Sequence, residues 1–215
     1  MAVEPRTFRA ALDCHYLLDP GDGLFVAALH GYGSSPEVML RLTRGLLGPP
    51  HTIAALAGPS HFYTATPGGP VGYSWATHAR SESSIRLHHE MLLRLFDECD
   101  APPQRRLLIG FSQPVGMNYR FAATHPGAVA GVVGICGGVP RNWESGPEYH
   151  AVSAALLHIA RREDEFYPEA ATAPYAQRLG ARAARVEFHL LEGGHRFPSK
   201  ASPIVEAWLR QTFHL

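Results

Sequence analysis

Short apolar runs rich in branched side chains alternate along this chain with longer stretches in which apolar residues recur at helical spacing. Such alternation is the pattern of an α/β protein built on a mostly parallel sheet. The runs predict strands over residues 24–29, 52–56, 107–111, 130–135, 156–159 and 186–191, with an earlier edge strand near 8–17. The amphipathic stretches predict helices over 37–46, 83–98, 115–123, 169–179 and 203–213. In the second of these, Ile85, Met91, Leu92, Leu95, Phe96 and Cys99 share one side, while Arg86, His89, Glu90 and Arg94 fall largely on the other. Ser81 or Ser83 is placed to cap its start.

Two stretches read as loops. Residues 58–79 are dense in Gly, Pro and aromatics, and 137–150 hold Pro140, Gly146 and Pro147. Loops of that length inside a compact domain are usually functional or disordered. No segment repeats at a fixed period.

The totals narrow the class. A chain of 215 residues, 46% hydrophobic, can bury one good core, so a single domain over 1–215 is expected. Lys plus Arg and Asp plus Glu both number 19, which gives no support for nucleic acid or an anionic membrane surface as the main partner. The three cysteines Cys14, Cys99 and Cys136 are odd in number and far apart. They read as buried free thiols in a reducing compartment. The N-terminal Met1-Ala2-Val3-Glu4-Pro5-Arg6 lacks the layout of a secretory signal, and no apolar run reaches the roughly 20 residues of a membrane span. A cytoplasmic protein is the expectation.

Candidate chemistry begins where the 107–111 strand runs into Gly110-Phe111-Ser112-Gln113-Pro114. A serine on a tight strand-to-helix turn is lifted clear of the sheet as a nucleophile. Gly110 supplies the small neighbour on the strand side, and Pro114 is tolerated in a helix's first turn. The plainer alternative is a serine that merely caps a helix. After the 24–29 strand comes His30-Gly31-Tyr32-Gly33, a turn that can aim the Tyr32 N–H at a substrate carbonyl, with the Gln113 N–H as second oxyanion donor. The alternative there is a glycine turn into a helix capped by Ser35.

Asp164 is the sole aspartate between Ser112 and His195, and it follows the 156–159 strand, with Glu163 and Glu165 as possible substitutes. His195 follows the 186–191 strand after Gly193-Gly194. The order Ser, Asp, His with each at a strand end is that of a catalytic triad on an open α/β sheet. Phe62, Tyr63, Tyr73 and Trp75 in the first loop, Trp143 and Tyr149 in the second, and Phe166 are candidates to wall a substrate pocket.

With Leu29-His30-Gly31-Tyr32-Gly33, Gly110-Phe111-Ser112-Gln113, His158…Asp164…Pro168 and Gly193-Gly194-His195 in hand, the chain resembles the phospholipase/carboxylesterase family, which includes acyl-protein thioesterases. The resemblance implies an α/β-hydrolase fold without a large lid, a Ser112–His195–Asp164 triad and a backbone oxyanion hole at Tyr32 and Gln113. It also implies Trp75 as a substrate-loop tryptophan. Two positions depart from the family pattern. Pro114 stands in place of a glycine, and Ala76-Thr77 follow Trp75 where Phe-Asp is usual. The expected activity is hydrolysis of small to medium carboxylic esters, with no metal or organic cofactor. A thioesterase or lysophospholipase would use the same triad, and a catalytically silent binding protein would share the fold.

Overall fold

The structure, a computed structural model, describes residues 3–215; Met1 and Ala2 of the N-terminal segment lie outside it. A seven-stranded sheet has the order β1-β3-β2-β6-β7-β8-β9. Its strands are β1 (Tyr16–Asp19), β2 (Phe25–Leu29), β3 (Thr52–Leu56), β6 (Arg106–Phe111), β7 (Gly131–Ile135), β8 (Ala155–Arg161) and β9 (Val186–Leu191). All neighbours pair in parallel except β1, which runs antiparallel to β3 at the edge. A separate hairpin joins β4 (Ser60–Tyr63) to β5 (Val71–Ser74).

Strand periodicity sends alternate residues to opposite faces. Ala27, Leu29, Leu108, Val132 and Leu156 pack under α2 (Ser81–Glu98), α3 (Val115–Thr124) and α5 (Tyr175–Gly180). Val26, Ala28, Ile109, Val133 and Leu157 pack under α1 (Pro36–Leu47) and α6 (Ser202–Phe213). The central strands are therefore buried on both faces, which explains their near-continuous apolar runs. This is an α/β-hydrolase arrangement with no large inserted lid among the described residues. No helix among them is long and apolar enough to cross a membrane.

Four expectations need correction. The edge strand starts at Tyr16, not near Phe8: its register with β3 runs from Tyr16 opposite Leu56 to Asp19 opposite Ile53, and residues 3–15 are exposed without regular structure. Cys14 lies in that segment and is exposed rather than buried. The helix expected over 169–179 is two short ones, α4 (Glu169–Thr172) and α5, since Pro174 lacks the N–H that would continue the first. Neither Ser81 nor Ser83 caps α2. Arg80 in the left-handed region (φ 57°) is the cap residue, and no side chain caps the helix start. The 58–79 stretch also contains more order than expected, namely the β4–β5 hairpin.

Burial leaves several imidazoles neutral. It lowers His88 and His158 to about 3 and His89 to about 4, and also lowers His30 and His51. In an unfolded chain these groups protonate near a reference value of about 6.5. Below that pH the unfolded state binds more protons than the folded one, so stability falls as pH falls. For the fully buried His88 and His158 the slope is up to about 1.4 kcal/mol per pH unit each. The melting temperature is expected to decline steadily from pH 7 to pH 5, and a flat profile over that range would contradict neutral burial.

Candidate active site

At the end of β6 the chain turns sharply into α3. Ser112 has φ 63°, a left-handed conformation that costs a non-glycine residue roughly 1–2 kcal/mol. Its N–H still donates to Ile135 O at 2.8 Å, so the sheet ladder holds the residue in that conformation. A side chain at Gly110 would place Cβ 2.8 Å from Asn118 Nδ2, which explains why the strand-side neighbour is glycine. Pro114 sits buried at the start of α3 with φ −75°, and its carbonyl accepts from Asn118 N at 2.8 Å. The proline is thus accommodated in the helix's first turn.

His195 joins this serine to Asp164. Its Nε2 lies 2.9 Å from Ser112 Oγ, and its Nδ1 lies 2.8 Å from Asp164 Oδ2. Asp164 Oδ1 accepts from the N–H groups of Phe166 and Tyr167 at 2.9 Å each. A carboxylate accepts only, so Nδ1 carries the imidazole proton and the Nε2 lone pair faces Ser112. The Asp164 side chain is 0% exposed and that of His195 13%, which shields their bond from water. Phe111, Phe166 and Tyr167 surround the imidazole, with ring centroids at 5.1, 4.8 and 5.9 Å.

Glu163 and Glu165 take a different part. Glu163 accepts from Gly193 N, and Glu165 Oε2 accepts from His195 N at 3.0 Å. The Glu163-Asp164-Glu165 loop thereby grips the Gly193-Gly194-His195 loop at successive points. Gly193 has φ 112°, a backbone conformation that only glycine adopts without strain.

On the other side of Ser112, the loop after β2 is fixed from below. The buried His30 donates from Nδ1 to Gly31 O at 2.8 Å and accepts at Nε2 from Gly58 N at 3.0 Å. Gly33 N donates to Tyr73 O, and Tyr73 N to Ser34 O, each at 2.9 Å, tying the loop to β5. Ser35 caps α1, accepting from Val38 N at 3.4 Å. Neither Tyr32 N nor Gln113 N donates to a protein acceptor among the described residues.

The Gln113 side chain has a role that the sequence did not disclose. Its Oε1 accepts from Trp75 N at 2.8 Å, and its Nε2 donates to Ala76 O at 2.6 Å and Ser74 Oγ at 3.2 Å. It staples the serine turn to the end of the hairpin. Gln113→Ala keeps the backbone N–H but leaves the part-buried Trp75 N–H and Ala76 carbonyl without these partners. A loss of about 1–3 kcal/mol is expected, read as a lower melting temperature, while an unchanged melt would show the staple to be idle.

The remaining pocket candidates scatter. Trp75 is only 1% exposed; its indole donates to His30 O at 2.8 Å and its ring packs on His30. It is a support for the loop, with no surface to offer a substrate. Trp143, 0% exposed, packs against Tyr119 and the buried Tyr149. Both tryptophans are corrected from wall to core. Tyr73 packs against His30 and His61. Phe62 stacks on the exposed Tyr32 with centroids 5.1 Å apart, Tyr63 is exposed on β4, and Phe166 stands 69% exposed beside His195.

Cys136 Sγ, Asp164 and His195 are the one trio of metal-type donors that approach one another among the described residues, within 4.8 Å. Both Asp164 oxygens and His195 Nδ1 are already engaged with each other and with backbone N–H groups. Burial, with Asp164 nearby, pushes the Cys136 thiol up to about 12, so without a metal it stays protonated. The donor set fits a hydrogen-bonded dyad rather than a metal centre.

The sequence profile of the family described as Phospholipase/Carboxylesterase matches residues 24–213. No curated protein matches the chain. Among solved structures it is similar to esterase PE8, with TM-score 0.74 and 20% identity over 94% of this chain and 100% of that one. It is also similar to the Bacillus cereus carboxylesterase, with TM-score 0.73 and 16% identity over 93% and 95% of the two chains. The acyl-protein thioesterase 2 of Zea mays gives 0.73 and 18% over 94% and 100%. At these identities the likeness is one of fold.

Proposed function

Because the chain belongs to the phospholipase/carboxylesterase family of hydrolases, we propose that it is a serine esterase acting on small to medium carboxylic esters through Ser112, His195 and Asp164. The observation that carries this reading is the unbroken hydrogen-bond line from Ser112 Oγ through His195 to the buried Asp164, with the serine held at φ 63°.

In the proposed reaction, His195 Nε2 takes the Ser112 proton as Oγ attacks the ester carbon. Asp164 keeps the proton on Nδ1 and stabilises the imidazolium. The free N–H groups of Tyr32 and Gln113 receive the oxyanion, each worth about 2.7–4 kcal/mol of barrier if removed. The alcohol leaves with the proton from His195, and water then releases the acyl group by the same steps. The carboxylesterase and the acyl-protein thioesterase resemble this chain equally in fold, so oxygen esters and thioesters belong in one substrate panel.

A fluorophosphonate probe tests the nucleophile. A stoichiometric adduct on Ser112, absent from His195→Ala, is the expected result. Folded protein that takes up no probe would turn the reading to a non-catalytic binding module.

A further inference from the structure

Tyr32 and Gln113, whose N–H groups receive the oxyanion in the proposed reaction, sit on two different loops. The β2–β6 register ends with Leu29 opposite Gly110, and each donor lies three residues past that last pair. Sheet pairing therefore does not set the gap between them. Two N–H groups stabilise one oxygen only when both aim at the same point, so contacts beyond the strand ends must fix their spacing.

Residues 73–76 supply those contacts. The Tyr73 backbone bonds Gly33 N and Ser34 O, just after Tyr32. Ser74 Oγ and Ala76 O accept from the Gln113 amide group. Trp75, between them, is the one residue among those described that hydrogen-bonds to both loops. Its indole N–H donates to His30 O and its backbone N–H to Gln113 Oε1, each at 2.8 Å. Its ring also packs on the His30 imidazole, with centroids 5.2 Å apart. That contact bears directly on Tyr32. His30 Nδ1 donates to Gly31 O at 2.8 Å, while the Gly58 N–H occupies Nε2. The Gly31 carbonyl and the Tyr32 N–H belong to one planar peptide and point in opposite directions, so holding the oxygen aims the hydrogen. At 1% exposure Trp75 touches no substrate, and a buried indole N–H serves only to bond an acceptor.

Resting on the esterase reading, we propose that Trp75 is a positioning residue of the oxyanion hole, which fixes the spacing of the Tyr32 and Gln113 N–H groups by holding both loops at once. Its effect is confined to the tetrahedral state. A ground-state carbonyl asks little of the two donors, whereas the oxyanion asks for both together. Displaced donors therefore slow the reaction without loosening substrate binding. The Ser112–His195–Asp164 line keeps its own hydrogen bonds, none of which involves Trp75.

Trp75→Phe removes the indole N–H and part of the ring. Trp75→benzothienylalanine removes only the N–H, with sulfur in its place, and keeps the shape. Both variants are compared with the wild type in p-nitrophenyl acetate hydrolysis and in inhibition by phenyl trifluoromethyl ketone. That ketone bonds Ser112 Oγ at its carbonyl carbon, the serine proton passes to His195 Nε2, and the carbonyl oxygen becomes the oxyanion with no leaving group lost. For the isosteric variant, kcat and kcat/KM are expected to fall together about 10–100-fold. KM and the midpoint of the pH–rate profile stay unchanged, and Ki for the ketone rises by the same factor. Trp75→Phe should show the same pattern with a lower melting temperature. Wild-type kcat in the isosteric variant would overturn the assignment. So would a loss of activity at unchanged Ki, or a shifted pH profile, either of which would put the damage at Ser112 or His195. A wild-type protein that neither hydrolyses the ester nor binds the ketone would remove the esterase reading itself, and this inference with it.

Discussion

Ser112→Ala is expected to lower kcat by about 10⁴-fold or more while leaving the protein folded, because loss of a nucleophile removes a whole reaction path rather than one contact. Stability supplies a second, independent reading of the same residue. Ser112 holds a left-handed conformation, at φ 63°, that alanine finds as strained as serine does. Ser112→Ala should therefore melt close to the wild type. Ser112→Gly relieves the strain and should be more stable by about 1 kcal/mol while equally inactive. A chain that spends stability at one serine, in a turn shaped by Gly110 and Pro114, points to chemistry at that position. Residual activity above roughly a hundredth of wild type would place the nucleophile elsewhere, since loss of the proposed triad's serine leaves far less.

What the sequence disclosed and what it hid divide along a physical line. His30-Gly31-Tyr32-Gly33, Gly110-Phe111-Ser112 and Gly193-Gly194-His195 were legible because each lies within a few residues of a buried strand end. There the backbone geometry that the motif demands shows as glycine. The strands were legible because parallel pairing buries both faces and leaves long apolar runs. The β4–β5 hairpin was hidden because Ser60–Tyr63 and Val71–Ser74 are four residues each and take their order from one another and from the loop at Gly33 and Ser34. Trp75 and Trp143 were misjudged for a related reason. An aromatic in a loop can wall a pocket or fill a core, and partners distant in sequence decide which. For Trp75 those partners are His30 O and the Gln113 side chain.

Asp164→Asn is the second change expected to be severe, and the surroundings of the carboxylate say why. The N–H groups of Phe166 and Tyr167 both point at Oδ1 and require an acceptor there. An asparagine must answer them with its carbonyl oxygen, which turns its NH₂ group toward His195 Nδ1. That nitrogen can then meet a donor only by giving up its proton, so the neutral imidazole carries its hydrogen on Nε2, facing Ser112 Oγ. A ring in that tautomer cannot accept the serine proton. The backbone donors thus force the inactive tautomer, and kcat should fall by about 10⁴-fold with little change in the fold. Glu163→Gln and Glu165→Gln make the necessary contrast. Their carboxylates grip the N–H groups of Gly193 and His195 from an exposed surface rather than touching the imidazole. Each should cost less than about tenfold, in line with the modest worth of exposed polar contacts. Steady-state kinetics on the three variants separates the cases. If Asp164→Asn kept more than about a hundredth of wild-type kcat, or if either glutamine variant lost as much as it did, Asp164 would not be the residue that sets the tautomer of His195.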